Sequence, residues 1–171
     1  YYRIYRFRLM RRRAKLNENP PISVIVALRG ESERFLTTEL PALLQQQYNY
    51  YEIVVVYIGG DMEYYEELQR IRDNYSYMRL TRMGGSNERF YISTKQALNV
   101  GIKSAQYDSL LFTIPGATPV SNEWVATMAK GFERGSVVIA PAVPNFEGNN
   151  LSTYIMRMIE LNQMRNAMVC A

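Results

Sequence analysis

A chain of 171 residues, 47% of them hydrophobic, can bury one substantial core, so a single domain is expected rather than two. Its only cysteine, Cys170, excludes an internal disulfide framework and any multi-cysteine metal site, and the lack of histidine removes the usual zinc ligands and the commonest general base. The formal charge of +4 conceals an asymmetry: seven basic residues and no acid fall in the first fifteen positions, against 13 basic and 16 acidic residues in the remainder.

Those seven, Arg3, Arg6, Arg8, Arg11, Arg12, Arg13 and Lys15, are interleaved with Tyr1, Tyr2, Ile4, Tyr5, Phe7, Leu9 and Met10. The pattern suits the cytoplasmic face of an anionic membrane, where each basic residue contributes about 1 kcal/mol and aromatic rings favour the headgroup layer. A plain solvated arm, or a grip on RNA or a protein partner, fits the same charges. No stretch approaches the roughly 20 apolar residues that span a bilayer, and no signal-peptide core is visible. The chain as given therefore reads as soluble or peripheral, with residues 1–19 a basic, aromatic, juxtamembrane-like segment and 20–171 the folded domain.

After the breaker Asn17-Glu18-Asn19-Pro20-Pro21, the run Ile22–Ala27 predicts a buried strand, short and β-branched. Phe35, Leu36, Leu40, Leu43 and Leu44 have helical spacing within 35–47, and Tyr51–Ile58 is a second strand of nearly continuous Ile and Val. Gly59-Gly60-Asp61 ends that strand and offers an N-cap to a helix carrying Tyr64, Tyr65, Leu68 and Ile71. A strand at Tyr77–Thr81 leads into a polar, glycine-containing loop, Arg82–Arg89, of the kind usually found at a surface. Ser93-Thr94 caps a helix whose apolar face is Ala97, Leu98, Val100, Gly101, Ile102 and Ala105. The strand ending at Thr113, a helix over Asn122–Arg134, a strand over Ser136–Ala140 and a last helix of about four turns from Leu151 complete the pattern.

Strands alternating with helices argue for βαβ units and a mostly parallel sheet. In such sheets ligands bind outside the carboxyl ends of the strands, which places candidate site residues directly after Ala27, Ile58, Thr81 and Thr113. Tyrosines cluster around the second and third strands (Tyr48, Tyr50, Tyr51, Tyr64, Tyr65, Tyr75, Tyr77). Rings of this kind fill a core edge with their hydroxyls in water, and a carbohydrate-stacking platform is the functional alternative.

Several linked segments between Pro20 and Pro141 resemble the family 2 glycosyltransferases, a GT-A group. Ile22–Glu31 is similar to the family's opening strand and its Pro/Ala-x-Arg-Asn-Glu turn, with Ala27, Arg29 and Glu31 in place and Gly30 substituting for Asn. Leu43-Leu44-Gln45-Gln46-Gln47-Tyr48 and the strand after it resemble the Leu-Leu-x-Gln-x-Tyr segment, and Lys95-Gln96-Ala97-Leu98-Asn99-Val100-Gly101-Ile102 the Lys-x-Ala-Leu-x-x-Gly-Ile helix. Leu110-Leu111-Phe112-Thr113 followed by Ile114-Pro115-Gly116, Pro119, Ser121 and Trp124 is similar to Leu-Leu-Phe-Thr-Asp-Ala-Asp with its later Pro, Ser and Trp. The resemblance implies a GT-A, Rossmann-like α/β domain with a mostly parallel sheet flanked by helices, lacking the acceptor-binding half. Among membrane-associated bacterial members it also implies a spanning helix upstream of Tyr1 and a place at the cytoplasmic membrane face.

The departures fall on functional positions. Where the family has acids after the second strand, one reading the base edge, this chain has Tyr57 and Ile58; Tyr57 can stack on a base but cannot accept an imide N–H as a carboxylate does. Ile114 and Gly116 stand where two aspartates would hold Mg²⁺ or Mn²⁺ against the departing diphosphate. Neither has a side-chain oxygen, and the nearest acids in sequence, Asp108 and Glu123, sit before the strand and on the following helix, so no metal cofactor is expected. Fixed cations can replace a metal in principle, and Arg29, Arg82, Arg89 and Lys95 lie in or near strand-end loops; otherwise they are solvated surface charges. In inverting members the general base is an aspartate beyond a point equivalent to Ala171, while Glu147 and Glu160 read as surface charges.

The resulting site set is Ala27, Arg29, Glu31, Tyr57, Arg89, Lys95, Ile114 and Gly116, as a vestigial nucleotide-sugar site. The last helix, with Met156, Met158, Leu161, Met164, Met168 and Val169, presents an apolar face for core packing, missing residues or a protein partner. Three readings of function follow: a degenerate, non-catalytic component of a membrane or envelope assembly; an active, metal-independent transferase moving a sugar from a nucleotide donor to a lipid or polysaccharide; and a basic-tailed RNA-binding protein. For the third, the acidic body offers neither an RNP-like motif nor a basic stripe.

Overall fold

The computed structural model describes residues 19–84, 92–130, 132 and 150–170. The chain divides into two compact units, Glu18–Ala129 and a second that takes in Lys130–Ala171 with Tyr1–Asn17. The first unit runs β1 (Ile22–Arg29), a π-helical turn (Phe35–Glu39), α1 (Leu40–Leu44), β2 (Tyr51–Ile58), α2 (Met62–Asn74), β3 (Met78–Met83), α3 (Thr94–Ser104), β4 (Ser109–Thr113) and α4 (Trp124–Ala129). In the second, α5 spans Leu151–Cys170.

The four strands form one parallel sheet in the order β3-β2-β1-β4. Each parallel connection requires a crossover, and the helices that supply it cover the sheet faces, so both faces of the inner strands must be apolar. That is why β1 and β2 are dominated by Ile and Val and are buried at every position except Arg29, with Ser23 and Glu52 the buried polar residues among them. The register pairs Arg29 with Ile58 and Ile58 with Met83, while Thr113 pairs with Val26. All four carboxyl ends therefore emerge along one edge, with β4 stopping three residues short of β1.

Helix α3 lies close on the sheet because Gly101 has no side chain: a Cβ there would stand 2.6 Å from Ile25 Cγ2 and 3.3 Å from Val56 Cγ2. Ala97 packs in the same cluster with Ile25, Ala27, Val54, Val56 and Ile58. Both expected caps form. Asp61 Oδ1 accepts the Tyr64 N–H at 2.7 Å, and Ser93 with Gln96 makes a reciprocal capping box.

The helix expected over 35–47 is shorter and irregular. Pro41 has no N–H to bond one turn back, and the winding before it loosens so that the Leu40 N–H reaches the Phe35 carbonyl. Strand β3 extends to Met83, taking Arg82 out of the predicted loop, and α5 has about five and a half turns. Helix α4 starts at Trp124 rather than Asn122. The strand predicted over Ser136–Ala140 lies outside the described residues.

The tyrosine hydroxyls depart most from expectation, because they are not left to water. The last carbonyls of a helix have no partner within it. Tyr51 and Tyr77 both donate to the Leu44 carbonyl, at 2.9 and 2.8 Å, while Tyr48 donates to Pro20 at 2.6 Å and Tyr64 to Ser32 at 2.9 Å. Gln46 belongs to the same framework. Its amide donates to the Ala42 and Ser121 carbonyls and its oxygen accepts the Val125 N–H at 3.0 Å, joining α1 to the start of α4. The Leu-Leu-x-Gln-x-Tyr segment thus consists of structural ties.

At the opposite, amino edge, Glu52 is buried on β2. Its carboxylate accepts from Ser23 Oγ at 2.6 Å and the Gln106 N–H at 2.5 Å and pairs with Arg79 at 2.7 Å. Ser23 in turn accepts the Tyr107 N–H. One acid thereby joins β1, β2, β3 and the turn leading to β4.

Candidate functional site

The carboxyl edge brings together the exits of β1, β2 and β4. At the β1 exit, Ala27 is buried within the sheet, and Arg29, exposed, donates to the Ile92 carbonyl. Gly30 follows at φ +69° with its N–H on the Ile58 carbonyl. This left-handed conformation is one that Gly and Asn adopt readily, which accounts for Gly at a position where the resembled family has Asn. Glu31 is exposed.

At the β2 exit, Tyr57 is fully buried. Its ring lies 5.4 Å from that of Tyr64 and 6.1 Å from that of Tyr65, so it has no face free to stack on a base, against the expectation from sequence. Its hydroxyl presses toward Gly59, where any Cβ would collide with it. The Asp61 N–H faces the phenol without the geometry of a full hydrogen bond. Burial, then the charges of Asp61 and Glu31, push the Tyr57 pKa up, partly offset by that N–H and by Arg82. Burial likewise pushes Tyr64 up to about 12.

Arg82, from the end of β3, spans the β2 exit. Its guanidinium donates to the Gly59 and Gly60 carbonyls at 3.3 and 3.1 Å and sits 5.5 Å from the Tyr65 ring centroid. This cation holds the turn into α2. Lys95 is exposed on the first turn of α3. Arg89 and the basic residues Arg3 to Lys15 lie outside the described residues.

At the β4 exit, the Ala117 N–H bonds back to the Ile114 carbonyl at 3.1 Å, with Pro115 second and Gly116 third at φ +94°. These are the marks of a type II turn, which favours Pro then Gly at its centre. Ile114 is 72% exposed on it. The Gly116 N–H donates at 2.9 Å to Glu39 Oε2, and the other carboxylate oxygen is 3.4 Å from Arg34 Nε.

Glu39 is only 2% exposed and reaches this turn from 77 residues away. Sequence reading looked for nearby acids along the chain and found Asp108 and Glu123, both exposed, whereas folding brings in an acid from the helical segment after β1. The signal was present: Glu39 falls four residues after Phe35 and four before Leu43, on the apolar face, where an unpartnered carboxylate is not tolerated. Replacing Glu39 with alanine should destabilise the unit by about 2 kcal/mol, the usual worth of a hydrogen bond to a charged group. Glu39→Gln, which retains an acceptor, should lose less than half of that, as read from urea midpoints.

The donor set at this turn does not fit a divalent cation. Ile114 and Gly116 supply no side-chain oxygen, the one buried carboxylate is held by a backbone N–H and faces an arginine, and the described residues contain no group of three or more His, Cys, Asp or Glu side chains that could hold a metal.

The fold is a parallel α/β sheet of the class in which ligands bind outside the carboxyl ends of the strands, and it is similar to the folds of solved structures that include a mannosyltransferase. One is S. aureus TarS 1–349, at TM-score 0.52 and 21% identity, covering 64% of this chain and 31% of that one. The same portion solved with UDP-GlcNAc gives TM-score 0.51 and 21% identity over 64% of this chain and 30% of that one. A mannosyltransferase, PcManGT from Pyrobaculum calidifontis, solved with GDP-Man and Mn2+, gives TM-score 0.52 and 19% identity, covering 75% of this chain and 38% of that one. The likeness is one of fold, and the chain spans less than two fifths of each neighbour's length. No protein-family model and no curated protein matches it.

Proposed function

We propose that this is a nucleotide-sugar-transferase-type domain whose donor site has been converted into structure, leaving a non-catalytic component of a membrane or envelope assembly. The observation that carries this reading is the β4 exit. A type II turn pinned to a buried glutamate occupies the place where, on the resemblance to family 2, a pair of acids would hold a metal. The filled β2 exit, with Tyr57 packed against its neighbours, supports it. The association with the cytoplasmic membrane face rests on the basic, aromatic residues 1–15. Among the described residues no helix is long and apolar enough to cross a membrane.

A metal-independent transferase is the second reading, favoured by the exposed Lys95 at the amino end of α3, where an ammonium and a helix terminus would together attract a phosphate. Calorimetric titration with UDP, GDP and their sugars, with and without Mn²⁺, tests both. No metal-enhanced binding is expected, and micromolar affinity that appears only with Mn²⁺ would overturn the first reading. In the converse experiment, Ile114→Asp should fold normally because the side chain is exposed. Adding Gly116→Asp places a Cβ at φ +94° and should cost about 1–3 kcal/mol. The double variant should gain Mn²⁺-dependent nucleotide binding if the turn corresponds to the acidic motif, and no metal effect would remove that correspondence.

A further inference from the structure

Glu39 is a buried charge held by groups that are not themselves buried. Its side chain is 2% exposed, while Gly116, whose N–H reaches Oε2 at 2.9 Å, is exposed, and Arg34, whose Nε lies 3.4 Å from Oε1, is 64% exposed. A main-chain donor and a guanidinium that meet the two oxygens of one anion suit a carboxylate and a phosphate group alike. A turn that needed only an acceptor for the Gly116 N–H could take it from an uncharged amide, without the desolvation cost of a buried carboxylate. Space is open beside this donor. A Cβ built on Gly116 meets no atom within 4 Å, so glycine is required there by its φ of +94° and not by close packing. The two donors also come from adjacent strand exits: Arg34 follows β1 and Gly116 follows β4, on the edge where ligands bind in folds of this class.

We propose that the Glu39 carboxylate is an autoinhibitory contact: it fills, as part of the chain, an anion site made by the Gly116 N–H and Arg34 that takes a phosphate group from solution once the carboxylate is removed. The group bound there is a phosphate or diphosphate held without a metal, its charge met by the guanidinium. A carboxylate tethered next to its donors competes at the high effective concentration of an intramolecular partner, so free phosphate does not displace it from the unmodified chain. The inference rests on the reading of the β4 exit as a former donor site, and names the group that closes it.

The test is urea unfolding of the full chain in EDTA, with about 20 mM sodium phosphate or with sodium chloride of equal ionic strength. The unmodified chain is compared with Glu39→Ala and Glu39→Gln, and each of these variants with its counterpart that also carries Arg34→Gln. Phosphate stabilises folded proteins in general by exclusion from their surface, so the unmodified chain sets the background and only the excess over it counts. In phosphate, Glu39→Ala is expected to recover about one third or more of the urea midpoint it loses. Its Arg34→Gln counterpart should recover nothing beyond background. Glu39→Gln keeps an acceptor for the turn and so reports if the alanine variant does not fold; its phosphate-specific gain is expected to be smaller, because phosphate must displace the amide. In phosphorus NMR, the variants and not the unmodified chain should broaden the phosphate signal. Equal phosphate responses in the unmodified chain and both Glu39 variants overturn the proposal. A gain that survives Arg34→Gln overturns it too, since the phosphate would then bind elsewhere. Failure of the degenerate-site reading shows instead as Mn²⁺-dependent nucleotide binding by the unmodified chain, so the two failures are distinguishable.

Discussion

Tyr57→Asp is expected to destabilise the sheet unit by more than about 4 kcal/mol instead of recreating a base-reading acid. Deleting a large buried aromatic side chain costs about 3–5 kcal/mol through lost burial and the cavity left behind. The new carboxylate would then occupy a fully buried position, with the neighbouring Arg82 already donating to the Gly59 and Gly60 carbonyls, which adds a desolvation penalty. Domains of this size hold only about 5–15 kcal/mol in total, so much of the protein should be unfolded or insoluble. Tyr57→Phe provides the control. It keeps the ring against Tyr64 and Tyr65 and removes only a hydroxyl that lacks a full hydrogen bond, so the change should stay below about 1 kcal/mol. Urea unfolding followed by circular dichroism compares the three proteins. A soluble Tyr57→Asp variant within about 1 kcal/mol of the unmodified chain would mean that the crevice at β2 is open to water, contrary to the packing described.

The second large effect is at the other end of the sheet. Glu52→Ala should cost about 3 kcal/mol, measured from the shift in urea midpoint at constant slope. The loss has two parts. Ser23 Oγ and the Gln106 N–H would lose the acceptor they share and be left unsatisfied at the amino edge, and Arg79 would lose its partner. Arg79 is 48% exposed and can turn to water, which holds the total at the lower end of the range for broken buried pairs. Glu52→Gln tests the division: it retains an acceptor for Ser23 or Gln106 but not the charge, and should lie between the two. If Glu52→Ala were neutral, the carboxylate would not be what joins β1, β2 and β3 at this edge.

These two residues show how the sequence can mislead about what polar and aromatic groups do. Tyr57 was conspicuous because it sits at a strand exit, where ligands bind in folds of this class, yet its ring is consumed by packing. Glu39 and Glu52 were not singled out, although both lie within otherwise apolar segments, a placement that only a hydrogen-bonded or paired carboxylate survives. Gln46 and Tyr48 belonged to a recognisable segment and turned out to hold α1 against α4 and the start of β1. For Glu39, Gln46, Tyr48 and Glu52 the type of residue was legible and the distant partner was not, because these partners lie between 28 and 79 positions away.

What the sequence determined by itself is the α/β alternation, the two inner strands, the caps at Asp61 and Ser93 and the absence of acids at Ile114 and Gly116. These follow from local physics: burial on both faces demands unbroken apolar strands, a helix needs its first N–H groups accepted, and a missing side chain is missing in any fold. The tertiary structure alone decided that the exit of β4 is held by Glu39, that Tyr57 is buried against Tyr64 and Tyr65, that the Tyr51 and Tyr77 hydroxyls finish the end of α1 and that the described apolar side chains of Leu151–Ile159 are exposed. Each depends on which surfaces meet, a matter of long-range packing that neither periodicity nor composition encodes.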